Sequence, residues 1–324
     1  MKSQVVVITG ASSGIGRETA LLFAKKGARV VVAARRQGAL DQVVAECEEL
    51  GAEAIAVVTD VSVSSDVERL TAIATARFGR IDVWVNNASV AAFGTLDEVP
   101  EADFRRVLDV NIMGYVFGAR AALGAFRQQG SGVLVNVSSV LSEVPYPYLV
   151  SYSMSKAATS ALNSALRQEL AISRLKKVHV TSVLPSTIDT PFYGNAANYL
   201  GRVAVPPPPV YPVKPVAKAI VHAAAHPERE IVVGRAGRQL VRLHRAAPNS
   251  LDKQMAALGA ATRKSGRTGI EPTTNTLFEP ANNAVSVSHG NWHGPSRLAK
   301  RRALTFAAIG VAGALVARSA LRAR

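Results

Sequence analysis

The first two thirds of the chain alternate between short apolar runs and longer stretches with helical periodicity. Apolar runs rich in β-branched residues predict strands buried on both faces, whereas apolar positions that recur at helical spacing predict amphipathic helices. The predicted strands are 4–8, 29–33, 54–58, 82–85, 133–137 and 230–233, and the predicted helices are 18–26, 37–50, 65–78, 100–128 and 216–225. This alternation is typical of an α/β fold in which helices cover both faces of a parallel sheet.

A glycine-rich loop, Thr9-Gly10-Ala11-Ser12-Ser13-Gly14-Ile15-Gly16, joins the first predicted strand to the first predicted helix. Glycines here let the backbone turn tightly and approach a pyrophosphate, whose charge then lies at a helix N-terminus. Any tight strand-to-helix turn can also need glycine. The context of strand, loop and helix favours a dinucleotide site, for which the candidate residues are Gly10, Ser12, Ser13, Gly14, Ile15 and Gly16.

The second predicted strand is followed by Ala34, Arg35 and Arg36. A carboxylate at this position would bind the ribose 2′-hydroxyl of NAD(H), whereas a 2′-phosphate is bound by arginine without a neighbouring acid. Arg35 and Arg36 therefore predict NADP(H) in preference to NAD(H). The alternative is a pair of solvated arginines at the start of a helix.

Polar residues also follow two later strands. Asp60 and Val61 come after the third predicted strand, and Asn87 and Ala88 come after the fourth. Open α/β sheets bind ligands beyond the carboxyl ends of their strands, so these four are candidate cofactor-binding residues. Asn111 lies amid apolar residues of a long predicted helix, where an asparagine satisfied by the backbone is the alternative to a functional one.

Tyr152 and Lys156 are four positions apart and share one face of a predicted helix. An ordinary tyrosine has a pKa of about 10, and a neighbouring ammonium would lower it towards the working range of an acid or base. Such pairs also occur by chance on solvated helices. Ser139 lies thirteen residues before Tyr152. Two hydroxyls and a cation can stabilise the negative charge that hydride transfer creates on a substrate oxygen.

Together these motifs make residues 4–234 resemble the short-chain dehydrogenase/reductase family. The resemblance implies a Rossmann-type, doubly wound parallel sheet of about seven strands with helices on both faces, and an NAD(P)-dependent oxidoreductase acting on CH–OH groups. It implies that Tyr152 exchanges a proton with the substrate oxygen and that Ser139 hydrogen-bonds this oxygen. Lys156 would bind the nicotinamide ribose and lower the tyrosine pKa, while Asn111 would hold a water in a proton relay. Homodimers or homotetramers are expected.

Two positions depart from the family pattern. Ser89 stands where glycine usually follows Asn-Asn-Ala, and Ser186 stands where glycine usually follows Pro185. Both alter the backbone that lines the predicted cofactor groove without removing a reactive group. Further along, the resemblance implies contacts of Ile188 and Thr190 with the nicotinamide carboxamide. No His and Cys cluster with zinc-ligand spacing is present, so no metal is expected.

The segment 191–212 contains Phe192, Tyr193, Tyr199 and four consecutive prolines. The resemblance implies that this segment covers the substrate, and its aromatic, uncharged content favours an apolar or bulky substrate. A stiff polyproline connection is one alternative. A lid that is apolar only to exclude water is another.

The formal net charge of +15 is concentrated in the C-terminal part of the chain. Residues 1–200 carry 19 Lys and Arg against 18 Asp and Glu, whereas residues 201–324 carry 19 against 5. The C-terminal arginines are not interleaved with aromatic side chains and no nucleic-acid-binding motif is evident, so no nucleic-acid partner is expected. The single cysteine, Cys47, is in step with apolar helix positions and is predicted to be buried.

We divide the chain into a catalytic domain, 1–234, a basic amphipathic helical extension, 235–258, a polar linker or arm, 259–302, and an apolar helix, 303–321. The basic extension suits an anionic membrane surface or, as the alternative, packs on its own domain with a solvated face. The apolar helix has basic residues on both sides and approaches the length of a membrane span. A buried helix at an oligomer contact and a disordered tail are the alternatives.

The sequence thus predicts an NADP(H)-dependent oxidoreductase that transfers hydride between nicotinamide and a carbonyl or secondary alcohol, with a lipid-like substrate as the finer hypothesis. A catalytically weak cofactor-binding scaffold or redox sensor of the same fold is the alternative. The N-terminal residues lead directly into the first strand without the pattern of a secretory signal. We therefore expect a cytoplasmic catalytic domain that contacts a membrane through the C-terminal helix.

Overall fold

The computed structural model describes residues 3–281 and 285–292. Its strands are β1 (Val5–Thr9), β2 (Arg29–Ala34), β3 (Ala54–Val58), β4 (Val83–Asn86), β5 (Ala92–Phe93), β6 (Gly132–Val137), β7 (Val178–Pro185), β8 (Ala197–Asn198) and β9 (Glu230–Val233). Its α-helices are α1 (Gly14–Ala24), α2 (Gln37–Glu49), α3 (Ser64–Phe78), α4 (Glu101–Leu108), α5 (Gly114–Gln129), α6 (Val150–Ile172), α7 (Phe192–Asn195), α8 (Lys214–Ala225), α9 (Arg235–Ala246) and α10 (Pro248–Ser265).

Seven of the strands form one sheet in the order β3-β2-β1-β4-β6-β7-β9, and every pair in it is parallel. The strand order reverses direction beside β1, because β2 and β3 lie on one side of it and β4 lies on the other. Ligands bind at such a switch point in doubly wound folds. The predicted Rossmann-type fold is confirmed.

Helices cover both faces of this sheet. On one face α1, α2 and α8 pack through residues such as Phe23, Leu40 and Ile220, and on the other α3, α5 and α6 pack through residues such as Leu70 and Phe126. The strands between them have no polar face, which explains why their sequences are continuous apolar runs. Cys47 is buried in the first of these layers, as predicted.

The long helix predicted over 100–128 is interrupted. A π-helical turn, Asp109–Met113, lies between α4 and α5. Such a turn inserts an extra residue into the helical ladder and is common at functional sites. It turns Asn111 towards the carboxyl edge of the sheet, where that side chain is fully buried.

The C-terminal extension packs on its own domain. Val241 of α9 and Leu251 and Met255 of α10 are buried in a cluster with residues of the α7 region. The arginines of α9 are exposed, so the alternative of a packed helix with a solvated basic face describes this segment. The predicted boundary at residue 259 is wrong in one respect, because α10 continues to Ser265.

The apolar helix predicted over 303–321 lies outside the described residues. Among the helices that the structure does describe, none combines the length and the apolar character needed to cross a bilayer.

Candidate functional site

A cavity of about 330 Å³ runs along the carboxyl edge of the sheet at the switch point. Ligand pockets in proteins typically begin at about this size. The predicted cofactor-binding residues that line it are Gly10, Ser13, Gly14, Ile15, Arg35, Asp60, Val61, Asn87, Ala88, Ile188 and Thr190. The predicted catalytic residues Ser139, Tyr152 and Lys156 lie at its other end.

The glycine loop fits a pyrophosphate. Gly10 and Gly14 have φ angles of 65° and 57°, which favour glycine. A Cβ atom on Gly10 would lie 2.7 Å from Ala88 Cα, and one on Gly16 would lie 2.4 Å from the Gly10 carbonyl oxygen. Helix α1 begins at Gly14 with no side-chain N-cap bond. The positive end of the helix dipole therefore lies at the cavity and favours an anion there, although the Gly14 N–H itself donates to the Val287 carbonyl oxygen at 2.9 Å.

Three of the predicted cofactor-binding residues do not line this cavity. Gly16 is buried behind the loop, where it permits the close packing on Gly10. The Ser12 carbonyl and the Arg36 guanidinium face the C-terminal residues 285–287 instead. Arg36 lines a second, adjoining cavity together with Arg35.

The dinucleotide end of the cavity contains an ion pair between Asp60 and Arg106, of which the sequence predicted only Asp60 as a site residue. Arg106 Nη2 donates to Asp60 Oδ2 at 2.6 Å, and its Nη1 donates to Ser62 Oγ. Burial would raise the pKa of Asp60, but hydrogen bonds from Ser62 and Arg106 outweigh it and hold the pKa below its ordinary value. Asp60 is therefore an anion whose charge is compensated by Arg106.

The middle of the cavity is held in shape by Asn87. Its Nδ2 donates to the carbonyl oxygens of Thr9 and Gly10 at 2.9 and 3.2 Å, and its backbone N–H donates to Thr9 Oγ1 at 3.0 Å. These bonds tie the end of β4 to the glycine loop. Asn87 thus positions the loop as well as lining the cavity.

Tyr152 and Lys156 lie on one face of α6, as their spacing predicts. The Tyr152 hydroxyl lies near the hydroxyls of Ser139 and Ser89, both of which act to lower its pKa. Lys156 is buried, and its Nζ donates to the Tyr115 hydroxyl at 3.2 Å and to the Val137 carbonyl oxygen at 3.0 Å. Its Nζ lies 5.4 Å from the centre of the Tyr152 ring.

The predicted lowering of the tyrosine pKa by Lys156 is not seen among these residues. Burial raises the pKa of Tyr152 to about 12, and the hydroxyls of Ser139 and Ser89 offset only part of this rise. Burial also lowers the pKa of Lys156 to about 7. Desolvation of Tyr152 is thus the largest effect on its pKa here, and the lowering of that pKa by Lys156 stays a prediction.

The Asn111 side chain has no bonding capacity left for a water. Its Oδ1 accepts from Ser89 Oγ at 3.1 Å and from the Val90 N–H at 2.9 Å. Its Nδ2 donates to the Val90 carbonyl oxygen at 2.9 Å and to Ser155 Oγ at 3.0 Å. An amide side chain makes four hydrogen bonds at most. Asn111 therefore ties the segment after β4 to α6, and the water-holding role stays a prediction that this side chain does not support.

Ser89 is the functional residue that sequence reasoning missed. It departs from the family pattern in more than backbone shape, because its hydroxyl donates to Asn111 Oδ1 at 3.1 Å and also acts to lower the pKa of the neighbouring Tyr152. When Tyr152 ionises, the same hydroxyl can rotate and donate to the phenolate. The available signal was a hydroxyl residue in place of glycine at a strand end next to the predicted tyrosine.

Replacing Ser89 with alanine should remove one donor to the Tyr152 phenolate. We expect the pH profile of alcohol oxidation to move up by as much as about one pH unit, with a rate near pH 8 about tenfold lower. The measurement is kcat/KM against pH for Ser89→Ala, with Ser89→Thr as the matched variant that keeps the hydroxyl. A profile unchanged in Ser89→Ala would show that the hydroxyl does not act on Tyr152.

Beyond Tyr152 the cavity is apolar. Its walls come from β5, the segment before α6, α7, α9 and α10, and the side chains are Phe93, Tyr146, Leu149, Phe192, Tyr193, Leu240, Met255 and Leu258. The Phe192 ring meets the Tyr152 ring edge to face at 5.2 Å. Within the described residues, the charged side chains that line the cavity, Arg35, Asp60, Arg106 and Lys156, lie on the other side of Tyr152 or behind it.

Comparison with known proteins gives relatives along most of the chain. The family model for short chain dehydrogenases matches residues 4–199. An uncharacterized oxidoreductase of Bacillus subtilis, YxnA, is 39% identical over 257 residues, which are 79% of this chain and 72% of that protein. The 11-beta-hydroxysteroid dehydrogenase A of Sesamum indicum is 35% identical over 239 residues, which are 70% of this chain and 67% of that protein.

Solved structures with the same architecture carry nicotinamide cofactors. An alcohol dehydrogenase from Thermococcus sibiricus, complexed with 5-hydroxy-NADP, has a TM-score of 0.63 and 28% identity over 72% of this chain and 96% of that one. A short chain dehydrogenase/reductase from Burkholderia phymatum, in complex with NAD, has a TM-score of 0.68 and 27% identity over 84% of this chain and 98% of that one. The two neighbouring structures support a nicotinamide cofactor for this chain. Their ligands differ, because the first carries the 2′-phosphate and the second does not.

Proposed function

The chain belongs to the short-chain dehydrogenase family, and from this premise we propose that it is an NADP(H)-dependent oxidoreductase that interconverts an apolar, bulky secondary alcohol and its carbonyl compound. The observation that carries the proposal is the position of Tyr152, which lies between a dinucleotide groove and an apolar chamber. Members of this family are NAD(P)-dependent dehydrogenases or reductases. The phosphorylated cofactor and the apolar substrate are the finer parts of the proposal.

The catalytic side chains act on the proton and on the charge of the substrate oxygen. The bound nicotinamide supplies or accepts the hydride. In the direction of reduction, the carbonyl carbon gains this hydride and the oxygen gains the proton of the Tyr152 hydroxyl. In oxidation Tyr152 removes the same proton. Ser139, which lies near Tyr152, polarises the substrate oxygen, and the nearby Lys156 ammonium favours the phenolate that reduction leaves behind.

The apolar chamber supports a substrate without charge. Aromatic side chains such as Phe93 and Phe192 bury apolar ligand surface well. A charged substrate there would lose its hydration without gaining a partner among the lining side chains described above. Similarity to a hydroxysteroid dehydrogenase agrees with a polycyclic or otherwise bulky lipid-like alcohol.

The arginines at the end of β2 support NADP(H). Arg35 lines the dinucleotide cavity and Arg36 lines the cavity beside it. The position usually taken by the acid of NAD-binding sites is Ala34. A 2′-phosphate would meet two guanidinium groups and no repelling carboxylate at this strand end.

The test is consumption of NADPH and of NADH by the purified protein with a panel of ketones. We expect kcat/KM for a steroid ketone to exceed that for a small charged keto acid by at least about 100-fold, because the chamber cannot pair a carboxylate. NADPH should be preferred to NADH. Equal use of the keto acid would contradict the proposed substrate class, and no turnover with any ketone would favour a cofactor-binding scaffold.

Two further parts of the proposal rest on sequence alone. Assembly into homodimers or homotetramers follows from the family resemblance. Membrane contact through 303–321 follows from the apolar pattern of that segment.

A further inference from the structure

The C-terminal residues 273–281 and 285–292, here called the strap, cross the open side of the dinucleotide cavity. The strap begins on the substrate side, where the Thr273 N–H and carbonyl pair with the backbone of Asn198 at 3.1 and 2.8 Å. Asn275 Nδ2 donates to the Ala196 carbonyl oxygen at 2.7 Å, and Thr276 Oγ1 donates to the Asn195 carbonyl oxygen at 3.0 Å. The strap is thus fixed first to the segment that follows α7.

Leu277 anchors the strap to the domain. Its side chain is 1% exposed and packs against Ala92, Val107 and Ala197. Its carbonyl oxygen accepts from Arg106 Nε at 3.2 Å. The next residue, Phe278, is exposed, so Leu277 and not its neighbour provides this buried contact.

The strap then meets Arg35 and Arg36. Arg35 donates to the carbonyl oxygens of Thr276, Leu277 and Phe278 at 2.5, 3.3 and 2.5 Å. Arg36 Nη1 donates to the Val285 carbonyl oxygen at 3.2 Å. Within the described part of the chain, the bonds to Arg35 use three of the five N–H groups of a guanidinium. Neutral carbonyls fix its position and leave its charge in place.

The far end of the strap is fastened to the cofactor side of the domain. Ser286 Oγ donates to the Ser12 carbonyl oxygen at 2.9 Å, and Arg17 Nη1 donates to Ser288 Oγ at 2.8 Å. Asp189 Oδ1 accepts from the N–H groups of Gly290 and Trp292 at 3.0 and 2.8 Å. The strap therefore joins the substrate side, the arginines and the loop after β7.

The strap encloses a second cavity of about 160 Å³ beside the first. Its inner wall includes Ser13, Arg35 and Arg36, and its outer wall is the strap, at Thr276, Pro280, Ala281, Val285 and Val287. Thr276 lines both cavities, which places them next to each other. The second cavity has room for a phosphate group, and its inner wall carries two cations.

The strap could act in two ways: as a wall that borders the dinucleotide site, or as a plug that fills it. The residues that line the main cavity distinguish the two. The strap contacts the start of α1, where the Gly14 N–H donates to the Val287 carbonyl oxygen at 2.9 Å. A strap that filled the dinucleotide site would also cover Ile15 and Asp60, yet these residues and Gly14 line the main cavity with the strap in place. Of the described strap, only Thr276 reaches that cavity. The strap therefore roofs the groove instead of filling it.

We propose that the strap is the outer wall of a pocket for the 2′-phosphate of the cofactor, and that it retains the phosphorylated nicotinamide cofactor in preference to the unphosphorylated one. This inference rests on the proposed function, because it takes a nicotinamide dinucleotide as the ligand of the main cavity. A dianion in the pocket would bind both guanidinium groups, and these groups hold the strap closed through its carbonyls. NADH makes no such link to the strap.

The test is the rate at which NADPH and NADH leave the protein, followed by nicotinamide fluorescence in a stopped-flow instrument. Leu277→Ala should loosen the strap, because shortening a buried side chain favours local opening. We expect NADPH to dissociate at least about tenfold faster from this variant, while NADH dissociation changes by less than about threefold. Leu96→Ala, the same substitution at an exposed leucine, is the control. Thermal unfolding of each variant shows whether the domain remains folded.

Hydrogen exchange of the wild-type chain provides a readout that needs no variant. NADPH should slow exchange in peptides covering 273–281, and NADH should slow it less. Faster exchange with NADPH, or tighter NADPH binding to Leu277→Ala, would identify a plug and overturn the proposal. Equal affinity of the wild type for the two cofactors would overturn both the proposed preference and the role of the strap. A wild type that prefers NADPH, with Leu277→Ala releasing both cofactors at wild-type rates, would overturn the strap alone.

Discussion

Tyr152→Phe should reduce kcat/KM by at least about 10³-fold while leaving the dissociation constant for NADPH within about threefold of the wild type. The substitution removes the hydroxyl that exchanges a proton with the substrate and keeps the ring. That ring retains its edge-to-face contact with Phe192. Loss of the hydroxyl and of its interactions with Ser139 and Ser89 should change the free energy of unfolding by about 1 kcal/mol or less.

The measurement combines NADPH turnover with fluorescence titration of the cofactor. Tyr148→Phe is a matched control, because Tyr148 belongs to the same apolar cluster and does not line the cavity. We expect near-wild-type turnover from it. Residual activity of Tyr152→Phe above about a tenth of the wild type would refute the role of Tyr152 as the proton-exchanging group.

The sheet could be predicted from sequence because parallel strands covered on both faces are continuous apolar runs. The break in the helix 100–128 could not, since a π-helical turn adds one residue to the ladder without a characteristic residue type. The continuation of α10 beyond the predicted boundary at residue 259 has a clearer physical cause. The predicted linker begins at Gly259, but a Cβ there would lie 3.0 Å from the Pro147 side chain, so this glycine permits close packing within the helix.

The candidate site was predictable to the extent that it depends on residue types at fixed spacings. Tyr152, Lys156, Ser139 and the glycine loop meet at one cavity because the fold brings strand ends together. The direction of the tyrosine pKa was not predictable, because desolvation depends on the packing of distant segments. The contacts of the strap could not be predicted from the sequence for another reason. Most acceptors that hold Arg35 and Arg36 are backbone carbonyls, which every residue type provides.

Lys156→Met should lower kcat/KM by about 100-fold or more, because it removes the cation next to Tyr152 while preserving the shape of the side chain. Within the described residues, the Nζ atom of Lys156 donates to the Tyr115 hydroxyl and to the Val137 carbonyl oxygen. The Tyr115 hydroxyl also donates to the Val137 carbonyl oxygen at 2.7 Å, so that acceptor stays satisfied in the variant. Lys218→Met, at an exposed lysine of α8, is the control.

The same substitution should raise the stability of the cofactor-free protein at neutral pH. Burial lowers the pKa of Lys156 to about 7 from an ordinary 10.5. Between these values the unfolded chain binds more protons than the folded one, so the stability of the wild type rises with pH across this window. Below pH 7 the full cost of the buried ammonium remains, in the range of a few kcal/mol. Lys156→Met lacks this cost, so its advantage in denaturant unfolding should be largest at or below pH 7 and shrink as pH approaches 10. A constant difference between pH 6 and pH 10 would show that Lys156 is not desolvated in the folded protein, and an unstable variant would show that its two hydrogen bonds outweigh the burial of its charge.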